Sequence, residues 1–319
     1  MLTHYQLALV LAAAFALTGL ATLIFLANTY IGARSERKAL RAIERLVELG
    51  FAVTSDPLGE FVKNAAKLPD ISWKYLAHLK HLGFVNRRHQ RASISLAVKP
   101  SRLGLGLDAD GKLFMNYADE ILREAGKNGI FVWFDAEKRE AQKAMIAAAA
   151  KLSQMGYRNL GCALQSMHRS SLEALNVLIE HDIPVRIVKG AYGDGELQSP
   201  TDVRGNFVAL AKRAKMFYRN PKILNVAAGT HDTAILDELA MEFVGCHVQY
   251  QFLFGIRTKL QEEYRARGED TLIYFGWGSL RNALGYLLRR LKEGIKWNAL
   301  KLFYLNVREA REFKKKHGL

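Results

Sequence analysis

Residues 159–192 read NLGCALQSMHRSSLEALNVLIEHDIPVRIVKGAY, and their pattern decides the fold. Asn159–Leu164 and Pro184–Val188 are short apolar runs of strand length, the second rich in β-branched residues. Between them, Ser170–His181 spaces its apolar residues as a helix does, behind an Ser-x-x-Glu-like start. Strand, helix and strand in this order make a βαβ unit, whose two strands lie parallel. Working outward, further strand candidates are Phe51–Ser55, Ser93–Val98, Ile130–Phe134, Ile223–Ala228, Val248–Leu253 and Leu272–Phe275. Helix-like segments such as Glu137–Met155 and Thr233–Phe243 separate them. Eight units in series suit a closed α/β barrel of the (β/α)8 TIM type, formed by residues 49–319. An open doubly wound sheet would carry a glycine fingerprint in its first strand-to-helix turn, and none is there.

The ends of these runs carry ionisable or polar residues: Asp56, Lys99, Asp135, Gln165, Lys189, Thr230 with His231, Gln251 and Tyr274. Strand ends are often polar because they meet water. In a barrel, however, they converge on one rim, which is where such folds place their chemistry.

Composition narrows the class. Of 319 residues, half are apolar and only six are proline, which permits a large core and argues against extensive disorder. The two cysteines, Cys162 and Cys246, have no CxxC spacing; both sit in apolar stretches and read as buried structural thiols in a reducing compartment. The formal charge of +15 is concentrated at Arg34–Arg45, around Lys74–Arg91 and in the tail Lys314–His317. No nucleic-acid-binding motif accompanies it, so a membrane-facing basic surface is favoured and nucleic acid is not expected as a partner. Residues 1–33 lack Asp, Glu, Lys and Arg, and the apolar run from Tyr5 to Ile31 exceeds the ~20 residues that span a bilayer. A single N-terminal transmembrane helix is expected there, in preference to a cleaved signal peptide, which would want a basic start. The cations from Arg34 to Arg45, on a basic juxtamembrane helix over residues 34–48, place the barrel on the cytoplasmic side.

The densest local constellation is Tyr286-Leu-Leu-Arg289-Arg290-Leu-Lys-Glu293. On a helix, Tyr286, Arg289, Arg290 and Glu293 share one face. Two guanidinium forks there can grip a planar carboxylate bidentately, although the same face also suits a solvated helix of Arg–Glu pairs. Arg186-Ile-Val-Lys189-Gly190-Ala191 puts charge and a small residue directly after a strand, allowing close backbone approach to a pyrophosphate or flat ring. His231 is alone, with no second His or Cys at ligand spacing, so no metal site is expected. No G-x-S-x-G elbow supports a serine nucleophile.

Taken together, these blocks resemble the FAD-binding proline dehydrogenase family, including the dehydrogenase domain of its bifunctional bacterial members. The resemblance runs through DPLGEFV (56–62), SISLAVKPS (93–101), FVWFDAE (131–137), CALQS (162–166), VRIVKGAY (185–192), GTHD (229–232), QYQFLFGIR (249–257) and YLLRRLKE (286–293). It implies a barrel with its last helix over the mouth, oxidation of L-proline to Δ1-pyrroline-5-carboxylate, FAD as cofactor, a membrane quinone as acceptor and product hand-off to a pyrroline-5-carboxylate dehydrogenase. It also implies roles. Arg289, Arg290 and Lys99 bind the substrate carboxylate, with Glu293 holding the arginines and Asp135 the lysine. Tyr274, Tyr286, Leu253 and Ala191 form the walls around the ring. Arg186 sits near the flavin N5, and Gln165, Val188, Lys189, Gly190, Ala191, Thr230, His231 and Gln251 contact FAD. Two alternatives stay open: a dehydrogenase of hydroxyproline or another cyclic amino acid, and a membrane-tethered barrel without activity.

Overall fold

The computed structural model describes residues 19, 22–89, 93–217, 226–294 and 300–319. Eight parallel strands close into a barrel in sequence order. They are β1 (Ala52–Pro57), β2 (Ile94–Val98), β3 (Phe131–Phe134), β4 (Leu160–Gln165), β5 (Val185–Val188), β6 (Val226–Gly229), β7 (Gln249–Leu253) and β8 (Thr271–Trp277). The expected strands are all present, within a few residues of the expected ends. The chain leaves Ile223–Asn225 of the sixth expected strand outside the described residues.

Side chains alternate across the barrel wall as the strand period requires. Val53, Leu96, Val98, Val132, Phe134, Leu164, Ile187, Phe252, Ile273 and Phe275 point outward into one apolar core beneath the helices. Their neighbours point inward, and many are small or polar, as are Thr54, Ser95, Ala97, Ala163, Arg186, Ala227 and Gln249, while Trp133 and Leu272 are large and apolar. Register places Thr54 level with Ser95, and their hydroxyls bond at 2.7 Å. The polar members of this inward set supply hydrogen-bonding groups inside the barrel, as between Thr54 and Ser95.

The outer ring comprises α2 (Glu36–Glu48) before β1, then α3 (Leu68–Arg88), α4 (Lys112–Lys127), α5 (Arg139–Gln154), α6 (Ser171–Glu180), α7 (Pro200–Phe217), α8 (Thr233–Glu242) and α9 (Thr258–Ala266). Among the described residues, two helices follow β8. The first, α10 (Leu280–Gly294), carries the arginine pair; the second, α11 (Leu300–His317), lies on the outer wall. There Phe313 packs edge-on against Phe51, and Lys316 and His317 pair with Glu262 of α9. Arg45 of α2 donates to the His317 carbonyl at 3.1 Å. The helix bearing the arginines is therefore the penultimate one, and part of the basic tail serves internal contacts.

The expected transmembrane helix falls largely on residues 1–18, 20 and 21, which lie outside the described residues. Among the described residues no helix is long and apolar enough to cross a membrane. The end of that apolar run belongs to the barrel. Residues 22–30 form a helix, α1, whose Leu26, Ala27 and Tyr30, with Ile31 just beyond it, are buried with Leu58 of the loop after β1 and with Ala283 and Leu287 of α10. The chain then joins the end of β8: Gly32 N donates to the Gly276 carbonyl at 2.8 Å, and Ala33 bridges to Trp277. A Cβ at Gly32 would fall 2.1 Å from the Phe275 ring, so only glycine fits this crossing. From α11, Lys314 caps the end of α1 by donating to the Asn28 carbonyl at 2.6 Å. One sequence-based reading is corrected: Cys162 is buried, but Cys246 is exposed.

Candidate active site

Five inward-pointing residues from five strands, Asp56, Lys99, Asp135, Arg186 and Tyr274, meet at the upper end of the barrel. Asp135, just past β3, is their hub. Its Oδ1 accepts from Arg186 Nη1 at 2.8 Å, and its Oδ2 accepts from the Tyr274 hydroxyl at 2.5 Å and from Lys99 Nζ at 3.3 Å. Lys99 also donates to Asp56 Oδ1 at 2.7 Å and to the Tyr274 hydroxyl at 3.3 Å, so all three ammonium hydrogens have protein partners. Arg186 stacks over the Trp133 ring at 4.5 Å and reaches Thr54 Oγ1 at 3.4 Å. Two cations thus face two carboxylates in a buried site, the arrangement that makes such charges tolerable away from water.

Burial disfavours the charged form of Lys99, but Asp56 first and Asp135 next outweigh it and hold the ammonium above the ordinary lysine range. The Asp56 carboxyl is raised by burial against the pull of Lys99. Burial, then Asp135 and Asp56, raise the Tyr274 phenol well above its usual value, so it acts as a hydrogen-bond donor. Burial lowers the Arg186 guanidinium.

Above this cluster lies α10. Arg289 forms a two-pronged pair with Glu60 in the loop after β1, Nη1 to Oε2 at 2.9 Å and Nη2 to Oε1, and its guanidinium lies over the Tyr192 ring at 4.8 Å. Glu60 offsets the cost of burial and lifts Arg289 above the ordinary arginine range. Arg290 lies over Tyr286 at 5.5 Å, so the expected Tyr286–Arg290 face exists. The Glu293 side chain lies outside the described residues; the carboxylate seen holding Arg289 is Glu60. The docking of α10 is apolar, through Ala283 and Leu287 against α1 and Leu58.

The opposite rim is built by β4 to β7. Gln165 donates to the Glu137 carbonyl at 2.7 Å and to His168 Nε2 at 3.3 Å, leaving Oε1 to face the Ala191 amide at 3.4 Å. Gly190 turns here with φ of 116°, and a Cβ would fall 1.8 Å from Met167 Sδ, so Val188-Lys189-Gly190-Ala191 can pass close under that rim. Lys189 pairs with Asp232 at 2.5 Å. The Thr230 hydroxyl accepts from Asp232 N at 3.2 Å. His231 Nε2 accepts from Leu253 N at 3.1 Å, which puts its proton on Nδ1. Burial, with Arg290 and Arg257 next, pushes that imidazole down to about 3, so it is neutral. Gln251 donates to Gln249 at 2.7 Å, while its buried Oε1 has no hydrogen-bond partner among the described residues.

Sequence reasoning named most of this site but missed Glu60, Tyr192 and Glu137, and left Asp56 as a strand end without a role. Glu60 and Asp56 share the DPLGEFV block, where two acids at one strand end were the available signal. Glu137 is buried and accepts from both the backbone and the hydroxyl of Ser101 at 2.7 and 2.5 Å, fixing the turn after Lys99. Among the described residues no group of His, Cys, Asp or Glu could hold a metal ion.

The proline dehydrogenase family model matches residues 39–298. The proline dehydrogenase of Deinococcus radiodurans is 27% identical over 282 residues, covering 84% of this chain and 86% of that protein. Proline dehydrogenase 2 of Bacillus subtilis strain 168 is 26% identical over 279 residues, with the same coverage. Among solved structures, proline utilization A from Bdellovibrio bacteriovorus inactivated by N-propargylglycine superposes with a TM-score of 0.75 at 20% identity, covering 86% of this chain. Proline utilization A from Corynebacterium freiburgense gives 0.66 at 20% identity over 91% of this chain. This chain spans 33% and 34% of those two longer chains, and at such identity they show the shared fold.

Proposed function

The chain belongs to the proline dehydrogenase family, and from that premise we propose that it oxidises L-proline to Δ1-pyrroline-5-carboxylate with FAD as cofactor. The observation that carries this reading is a buried, charge-balanced strand-end cluster of Lys99, Asp56, Asp135, Arg186 and Tyr274 lying beneath an arginine-bearing helix. A scaffold has no use for buried charges that cost several kcal/mol each to desolvate.

The residues present fit a flavin. Gln251 Oε1 and Arg186 Nε are buried without partners among the described residues, and the Gly190 turn brings backbone to the same rim. Gln165, Val188, Lys189, Gly190, Ala191, Thr230, His231 and Gln251 would hold it, with Arg186 beside the part that gains electrons. Bound FAD supplies the two-electron acceptor for the hydride leaving the ring carbon next to nitrogen.

The chain's own residues do the rest. Arg289 and Arg290 receive the substrate carboxylate, which requires Arg289 to exchange Glu60 for the ligand; the pair's two-pronged geometry matches a carboxylate. Lys99 supplies a third cation. Tyr274, Tyr286, Leu253 and Ala191 wall the ring, fixing its orientation for transfer. The cations around the amine favour its neutral form, which hydride loss requires. Substrate choice rests on Tyr274, whose ring, held in place by the bond from its hydroxyl to Asp135, occupies space that a 4-hydroxyl would need. Residues 1–21, free of charged side chains, support attachment to a lipid bilayer, with the barrel on the cytoplasmic side, a membrane quinone as acceptor and product passed to a pyrroline-5-carboxylate dehydrogenase.

The test is kinetic. Arg289→Met and Arg290→Met should each lose about tenfold or more in kcat/KM for L-proline, the scale of a lost charge-assisted contact. Near wild-type kinetics in both would remove the carboxylate clamp from the account.

A further inference from the structure

Lys99 is surrounded unequally. Its bond to Asp56 Oδ1 is 2.7 Å, within the range of a charge-assisted hydrogen bond, while those to Asp135 and Tyr274 are 3.3 Å and correspondingly weak. Asp135 already holds Arg186 at 2.8 Å and Tyr274 at 2.5 Å, so little of its capacity is left for the lysine. Asp56 has no other charged partner within salt-bridge distance among the described residues, and its side chain is buried.

From this asymmetry we infer that Asp56 is a positioning residue: it keeps Lys99 charged and anchored through one short bond while the two long ones yield to the substrate carboxylate. The inference rests on the proline dehydrogenase reading, because it assigns Asp56 a role in that reaction's substrate site. Asp56 sits on β1 and Lys99 follows β2, adjacent strands, so the short bond is fixed by barrel register and does not depend on any mobile loop. A lysine buried without such a partner loses its proton readily.

The other ionisable groups near Lys99 are Asp56, Asp135, Glu60, Glu137 and Arg186, and burial lowers the Arg186 guanidinium. Burial raises the phenols of Tyr75, Tyr192 and Tyr274 above their ordinary value. An alkaline change in anion binding that disappears in a Lys99→Met background therefore reports Lys99.

The experiment compares full-length wild type and Asp56→Asn, both loaded with FAD in detergent. The probe is cyclopentanecarboxylate, a five-membered ring acid with no nitrogen to titrate. Its Kd is measured from pH 7 to 10 by calorimetry and by competition with L-proline. Wild type should bind it with a flat profile. Asp56→Asn keeps the shape but not the charge, so its Kd should rise by about tenfold per pH unit once Lys99 begins to lose its proton. In a Lys99→Met background the substitution should add nothing. A flat profile in Asp56→Asn, or an effect that persists without Lys99, overturns the inference alone. If Asp56→Asn does not fold, wild type still decides: binding that weakens tenfold per unit below pH 10 overturns it, and flat binding supports it. Wild type that neither oxidises L-proline nor binds the probe overturns the functional reading, and this inference with it.

Discussion

Replacing Asp135 with asparagine removes one charge and leaves its shape, and the three partners respond differently. Lys99 keeps Asp56 at 2.7 Å, and the Tyr274 hydroxyl can still donate to the amide oxygen. Arg186 keeps no carboxylate within salt-bridge distance among the described residues; what remains is Thr54 at 3.4 Å and the face of Trp133. Its side chain is 3% exposed, so water cannot take the carboxylate's place. A buried cation stripped of its partner costs about 3–5 kcal/mol. In a chain of this length each kcal/mol moves Tm by about 2 °C, giving a fall of about 6–10 °C for Asp135→Asn. Adding Arg186→Met removes the stranded cation and fills its path with an unbranched apolar chain. The double variant should then recover about 2–4 kcal/mol relative to the sum of the singles. Thermal unfolding followed by tryptophan fluorescence, at matched cofactor loading, reads both quantities. Additivity within about 0.5 kcal/mol would refute the claim that Asp135 is the partner that keeps Arg186 buried.

Other outcomes follow from the same geometry. Tyr274→Ser should narrow the preference for L-proline over 4-hydroxyproline by about tenfold, whereas Tyr274→Phe should keep it; an unchanged ratio in the serine variant counts against the wall assignment. His231 is depressed to about 3 from 6.5, so the unfolded chain binds its proton at higher pH than the folded one does. Its contribution to stability is present above about pH 6.5 and is lost as pH falls toward 3. His231→Gln should accordingly lose less stability than wild type between pH 6.5 and 4.5, and parallel curves would contradict this. Leu26→Ala should lower stability by about 2–4 kcal/mol, because Leu26 is fully buried against α10 and Leu58. An unchanged Tm would place that residue outside the folded unit.

The barrel was legible because each strand writes a short run bounded by turn residues. Its errors are equally physical. The last strand continues to Trp277, past the point where Gly276 reads as a break, because Gly276 and Trp277 pair with Asp56 and Pro57. The apolar stretch through Ile31 has one hydropathy whether it meets lipid or protein, and only packing shows that its end, from Leu26, braces α10 over the mouth. The pairing of Lys99 with Asp135 was implied by the family resemblance, while its shorter bond to Asp56 on the adjoining strand was not. The site was not legible where partners are distant in sequence. Glu293 stands one helical turn from Arg289 and invited a local pairing, whereas Glu60 meets Arg289 across 229 positions.

The central claim, a proline-oxidising flavoenzyme, is tested most directly by the absorption spectrum of the FAD-loaded protein before and after anaerobic addition of L-proline. The account predicts that the flavin band near about 450 nm bleaches on mixing. A flavin band that persists in the presence of L-proline would contradict it.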